Sequence, residues 1–164
     1  MTRNIVFSSI FLVLATMFTA CAPPACQDVD CGDHGTCFEG ACECAPGWQG
    51  IKCQTKSIDM LAGKYQAQET CDSIPGPEYL EEIAPGADET HAIIKNFGNS
   101  GADLPVEIIS GGKLAFTNVD WNISGKTYKL SGSSERDFGS LVIDYSAKLN
   151  DTVRISCVHV MTKF

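Results

Sequence analysis

The chain has 164 residues, 44% hydrophobic and 20% charged, which excludes a disordered polymer and leaves room for a folded core. Its formal net charge is −8 at pH 7 and its basic residues form no patch, which argues against a nucleic-acid partner and against charge-driven binding to anionic lipid headgroups. It carries nine cysteines, more than a reducing compartment would favour in a chain this short.

The chain opens with Arg3 and an apolar run from Ile5 to Phe18, fourteen residues long. That is too short to cross a bilayer and suits the apolar region of a signal peptide over residues 1–20. The run ends in Phe18-Thr19-Ala20-Cys21, which resembles a bacterial lipobox with Phe18 where Leu is usual. The resemblance implies cleavage before Cys21 and lipidation of that cysteine, with residues 21–25 as a proline-stiffened spacer. Two or more acyl chains anchor a protein stably. The alternative is secretion without lipid, by cleavage after Ala22. Losing the leader removes Arg3 and no acid, taking the net charge from −8 to −9.

Six cysteines follow as Cys26-x4-Cys31-x5-Cys37-x4-Cys42-x-Cys44-x8-Cys53. Twenty-eight residues cannot bury enough apolar surface to fold unaided, so this segment needs cross-links. Spacing alone allows fifteen connectivities for six cysteines. The closing stretch Cys42-Glu-Cys44-Ala-Pro46-Gly47-Trp48-Gln-Gly50-Ile-Lys-Cys53 resembles the epidermal growth factor-like (EGF-like) module over residues 26–53. The resemblance implies the pairs Cys26–Cys37, Cys31–Cys42 and Cys44–Cys53. Gly32, Gly35, Gly40, Gly47 and Gly50 suit tight turns. Trp48 is expected over the last disulfide loop, and His34 in a turn. Calcium-binding relatives carry acids just before the first cysteine and Asn or Asp between the third and fourth. This chain has Ala22-Pro23-Pro24-Ala25 and Phe38-Glu39-Gly40-Ala41 there, so no metal is expected.

Residues 57–164 form a second unit, long enough for its own core. Lys64 to Cys71 places Tyr65, Ala67 and Cys71 on one side. A short strand or one helical turn fits Glu78 to Ile83, inside an acidic run from Asp72 to Glu89 that otherwise reads as a solvated loop or a partner- or cation-binding loop. Thr90 to Phe97 puts Ile93 and Phe97 on one face and Ile94 on the other. Gly111-Gly112 joins Val106–Ser110 to Lys113–Thr117 as a hairpin. Lys126 to Ser131 groups Tyr128 with Leu130. Leu141, Ile143, Tyr145, Ala147 and Leu149 alternate with polar or smaller residues at period two. A turn at Asn150-Asp151 leads into a last strand with Val153, Ile155 and Cys157 on one face. The fold class is therefore all-β: a disulfide-rich EGF-like module followed by a small antiparallel β-meander barrel or sandwich. With Cys21 set aside, Cys71 and Cys157 remain to pair, tying the first strand to the last.

Gly63-Lys64-Tyr65, Ile93-Ile94-Lys95-Asn96-Phe97 and the late Ser131-Gly132-Ser133 resemble a small β domain of secreted and lipid-anchored proteins of Bacteroidota. The Gly-x-aromatic start is also similar to that of lipocalins, with Tyr65 where Trp is usual. No Gly-x-Ser-x-Gly or His-Glu-x-x-His occurs. On apolar faces His91 and His159 read as packed side chains. No catalytic residue, metal ligand or cofactor is assigned. Asn122-Ile-Ser124 and Asn150-Asp-Thr152 match glycan acceptors that a bacterial chain leaves unused. The expected function is a non-catalytic interaction or adhesion protein, lipid-anchored in the cell envelope at the outer membrane and meeting a protein or glycan. The alternative is a carrier holding a small apolar ligand in the barrel.

Overall fold

The computed structural model describes residues 25–150 and 153–164; the expected signal peptide over residues 1–20 and Cys21, the expected lipidation site, lie outside them. Two pieces follow in chain order. The first is a cross-linked module with a hairpin of β1 (Gly35–Phe38) and β2 (Ala41–Cys44), then β3 (Trp48–Gln49) paired with β4 (Thr55–Lys56). Disulfides join Cys26 to Cys37, Cys31 to Cys42, and Cys44 to Cys53. Among its glycines, Gly32, Gly40, Gly47 and Gly50 take positive φ, but Gly35 does not. Gly35 is required for close approach instead. A β-carbon there would sit 2.6 Å from the Cys53 sulfur and 2.9 Å from the Cys31 carbonyl oxygen. Gly35→Ala is therefore expected to block closure of this knot, giving scrambled or free thiols by mass spectrometry of the alkylated protein. A native disulfide map would overturn the prediction.

A one-turn helix, α1 (Ser57–Leu61), leads into eight strands: β5 (Gly63–Cys71), β6 (Ile74–Pro85), β7 (His91–Lys95), β8 (Leu104–Ile109), β9 (Lys113–Ile123), β10 (Lys126–Asp137), β11 (Ser140–Leu149) and β12 (Val153–Lys163). Each pairs antiparallel with the next in sequence, and β12 pairs back with β5, so the sheet closes into an up-and-down barrel rather than a sandwich. Closure removes the edges that a small open sheet would expose.

A turn as short as α1 does not persist alone. Ile58 and Leu61 lie three apart, on one face, and both are buried at one end of the barrel. Tyr65 donates its hydroxyl proton to the Leu61 carbonyl at 2.5 Å. The Lys163 ammonium donates to the carbonyls of Met60 at 3.0 Å and Ala62 at 2.7 Å and lies over the Tyr65 ring. First and last strands thus clamp the plug between them.

Three sequence expectations change. Of the two readings of Glu78–Ile83 the strand holds and the helical turn does not: the stretch is the middle of β6, a strand of 12 residues, so most of the acidic run Asp72–Glu89 is sheet rather than loop. Tyr79, Glu81 and Ile83 follow the strand alternation and lie on its more buried side. In β7 the core face carries Ala92 and Ile94, not Ile93. Phe97 joins that core because Asn96, at φ 60°, breaks the strand and turns the chain inward. The His34 ring, expected only to fill a turn, stacks on Trp48 with centroids 3.5 Å apart and planes within 7°.

The two pieces meet directly. Ser57 N–H donates to the Gly47 carbonyl at 2.7 Å, and the Ser110 hydroxyl donates to the Cys44 carbonyl at 3.2 Å. Gly47 is packed so tightly on Glu89 that a β-carbon would meet its carbonyl oxygen at 2.5 Å.

Candidate functional site

The least ordinary chemistry lies inside the barrel. The inward positions of β12 run Cys157, His159, Met161, and β5 places Glu69 directly opposite His159. Glu81 and Tyr79 enter from β6 and Tyr145 from β11. The His159 imidazole has no solvent exposure, and neither does the Glu81 side chain. His159 Nε2 lies 2.9 Å from Glu81 Oε2, and His159 Nδ1 lies 3.6 Å from Glu69 Oε1 and 3.3 Å from the Tyr79 hydroxyl. Tyr145 donates its hydroxyl proton to Glu69. Gly98 N–H donates to the other Glu81 oxygen at 3.0 Å. The Phe97 ring covers the imidazole with centroids 5.0 Å apart.

Burial alone would drive the proton off His159, but hydrogen bonds and charge from Glu69 and Glu81 outweigh it and hold its pKa at about 9. Burial likewise pushes the Glu69 carboxyl up, and its bonds to His159 and Tyr145 more than reverse this, leaving it below the usual range. Burial, then the two carboxylates, push both tyrosine hydroxyls far upward. The result is an imidazolium held between two carboxylates. Its tyrosines are poor nucleophiles, and Glu69, with a side chain 21% exposed, is its most open member. Such a group ties β5, β6, β11 and β12 together across the barrel seam.

The volume a carrier would reserve for ligand is occupied. Tyr65 and Ile143 are buried in the core, and Tyr128 and Ile155 pack against it. Phe97 fills the centre, edge-on to Phe116 at 6.3 Å and to Trp121 at 5.7 Å.

Cys71 and Cys157 are bonded to each other, so with Glu69 they offer no thiolate ligand set despite their proximity. His91, expected on a packed face, is half-exposed and bound to Asp88 at 2.6 Å. Bonds from His91 and Thr90 hold the Asp88 carboxyl at about 2. This is a loop clasp, since Asp88 also accepts the Thr90 N–H at 2.9 Å. Glu69 was not singled out from the sequence, and Glu81 and Tyr79 entered it only as part of the acidic run and its possible short strand. A usable signal was present: alternation from Tyr65 and Ala67 puts Glu69 on the core face, and two residues beyond Cys157 puts His159 there too.

These observations define the class: an EGF-like module fixed to a closed, eight-stranded antiparallel barrel with a filled interior. A family model described as a Teneurin-like EGF domain matches residues 26–56, which covers the cross-linked module and β4. No solved structure matches the chain.

Proposed function

We propose that this chain is an exported interaction protein of a bacterial cell envelope, lipidated at Cys21, which presents its barrel to a protein or glycan partner without catalysing a reaction. The observation that carries the reading is the packing of the interior. With Phe97 and its neighbours filling the barrel and the His159 cluster enclosed, the outer surface is left for recognition. The cross-linked module supports it, because four disulfides suit an oxidising compartment. The firm junction at Gly47, Ser57 and Ser110 makes that module a rigid mount for the barrel. The lipobox-like Phe18-Thr19-Ala20-Cys21 and the spacer behind it supply the anchor. The carrier reading gains no support from the filled core.

Intact-mass analysis of the protein purified from membranes tests the anchor. The expected product starts at Cys21 and carries a diacylglyceryl mass; an unlipidated mature chain overturns it. Amine- and carboxyl-reactive cross-linking on intact cells tests the interaction. A discrete higher-mass adduct is expected, and recovery of uncross-linked chain alone counts against the proposal.

A further inference from the structure

Strand register sets small hydroxyl side chains side by side on the outside of the barrel. Ser131 of β10 pairs with Ser146 of β11, and Ser146 pairs with Ser156 of β12. Serine contributes little to strand stability compared with Thr, Val or aromatic residues, so the fold itself gives no reason for three in a row. The side chains on either side are mostly longer. Lys129, Lys148 and Arg154 are aligned on one flank. Ser133, Asp144 and Val158 are aligned on the other. At one end the β5–β6 turn closes the row, with Asp72 N–H donating to the Ser156 carbonyl at 2.9 Å and Ser156 N–H to Asp72 Oδ1 at 3.3 Å. Short side chains between long ones leave a trench of about 510 Å³, lined by Asp72, Ser131, Asp144, Ser146, Arg154 and Ser156 among others. That volume falls within the roughly 300–1,000 Å³ of small-molecule sites.

The trench is furnished with polar groups the fold does not consume. Ser131 Oγ accepts the Asn118 N–H at 2.9 Å. Among the described residues, the Ser146 and Ser156 hydroxyls, the Asp144 carboxylate and the Arg154 guanidinium have no side-chain hydrogen bond or ion pair. The charges balance: Lys129 is paired with Asp120, and Asp72 and Asp144 oppose Arg154 and Lys148. A polyanion would meet two carboxylates, and a basic peptide would meet the cationic flank. A neutral ligand dense in hydroxyls suits the set, since carboxylates accept from adjacent hydroxyls, the guanidinium donates to ring and hydroxyl oxygens, and serines do both. Val158, 40% exposed on the trench wall, offers an apolar surface to C–H groups.

We infer that this trench on β10, β11 and β12 is a binding site for a neutral oligosaccharide. This rests on the reading of the chain as a surface interaction protein and names the class of its partner. The test is affinity electrophoresis of the purified full chain in gels containing dextran, laminarin or yeast mannan, with hyaluronate as the anionic comparison. At least one neutral polysaccharide is expected to retard migration. Ser146→Trp, which fills the trench, and Asp144→Asn, which removes one acceptor while keeping shape, are each expected to weaken retardation at least tenfold. Glu107→Gln, on β8, is expected to leave it unchanged. Circular dichroism of each variant separates lost binding from lost folding. Retardation by none of the neutral polysaccharides, by hyaluronate alone, or equally in the Ser146→Trp chain overturns the assignment. None of those outcomes touches the lipid mass at Cys21 or the cross-linked adduct, so the broader reading stands or falls separately.

Discussion

Replacing both Cys71 and Cys157 by alanine lowers the unfolding free energy by about 4–5 kcal/mol, roughly 20 °C or more in Tm for a domain this size. The bond spans 86 positions in sequence, so its main effect is on the unfolded chain, whose two ends it forbids to separate. In the folded protein it sits on the seam where β12 meets β5, at the first of the pairs that run from Cys157–Cys71 to Lys163–Tyr65. Joining these strands closes a sheet whose ends are the ends of the domain. The loop-closure cost is among the largest in the topology, because no intervening turn holds the two strands near each other. Domains of this kind keep only about 5–15 kcal/mol in total, so the loss is a large share. Urea denaturation at neutral pH measures it; a shift below about 1 kcal/mol would refute the account. Substituting both cysteines avoids a lone thiol, which would confound the result by exchange with the front module.

That cross-link also shows how far the sequence could be read. Alternation in Leu141–Leu149 placed Leu141, Ile143, Tyr145 and Ala147 on one face because their neighbours are mostly polar, and all four are buried. Reading failed where local chemistry and tertiary placement disagree. Pro75, Pro77 and six acids made Asp72–Glu89 resemble a loop. Yet β6 tolerates the prolines at its start, where the β5 pairing is already irregular between Gln68 and Thr70, and it turns Glu81 inward to a partner no local pattern reveals. Phe97 was assigned to the wrong face for a related reason. One left-handed residue, Asn96, resets the period, and nothing in Ile93-Ile94-Lys95-Asn96-Phe97 marks it beyond the tolerance of asparagine for that conformation.

The buried cluster lay one step from being legible. If Cys71 faces Cys157 in antiparallel strands, then two residues back on one and two forward on the other face each other, and those are Glu69 and His159. Each by itself reads as an exception on an apolar face; together they read as a pair. Glu81 could not be found this way, since its strand was only one of two readings of Glu78–Ile83 and its register against β5 was not legible. The serine trench escaped for the opposite reason. Ser131, Ser146 and Ser156 are ordinary polar positions in three separate strands, and only the register makes them neighbours.

Removing two members of the cluster together destabilises the barrel by less than the sum of removing each alone. In Glu81→Leu, His159 loses its nearest carboxylate and keeps Glu69 at 3.6 Å and the Tyr79 hydroxyl at 3.3 Å, and the Gly98 N–H loses its acceptor. Breaking a buried ion pair costs about 3–5 kcal/mol where it leaves a charge uncompensated, and because Glu69 still faces the imidazolium here the expected loss is at the lower end, about 3 kcal/mol. In Glu81→Leu/His159→Leu the charge goes with its partner, apolar atoms fill the space beside Phe97, and the loss falls below the sum of the single losses. The pH dependence follows from the same contacts. The His159 pKa rises from 6.5 unfolded to about 9 folded, so its contribution is whole below pH 6.5 and is lost as pH climbs from there through about 9. The Glu69 pKa falls below 4.5 on folding, so its contribution is whole above pH 4.5 and fades as pH drops through the folded value. Stability from these two groups is therefore flat between about pH 4.5 and 6.5 and declines on both sides, with the alkaline decline absent from the double variant. Urea midpoints taken from pH 4 to 10 on the four proteins of the cycle decide the matter. Additive losses, or an alkaline limb that persists without His159, would show that the imidazole is carried neutral and that the two carboxylates are held by other means.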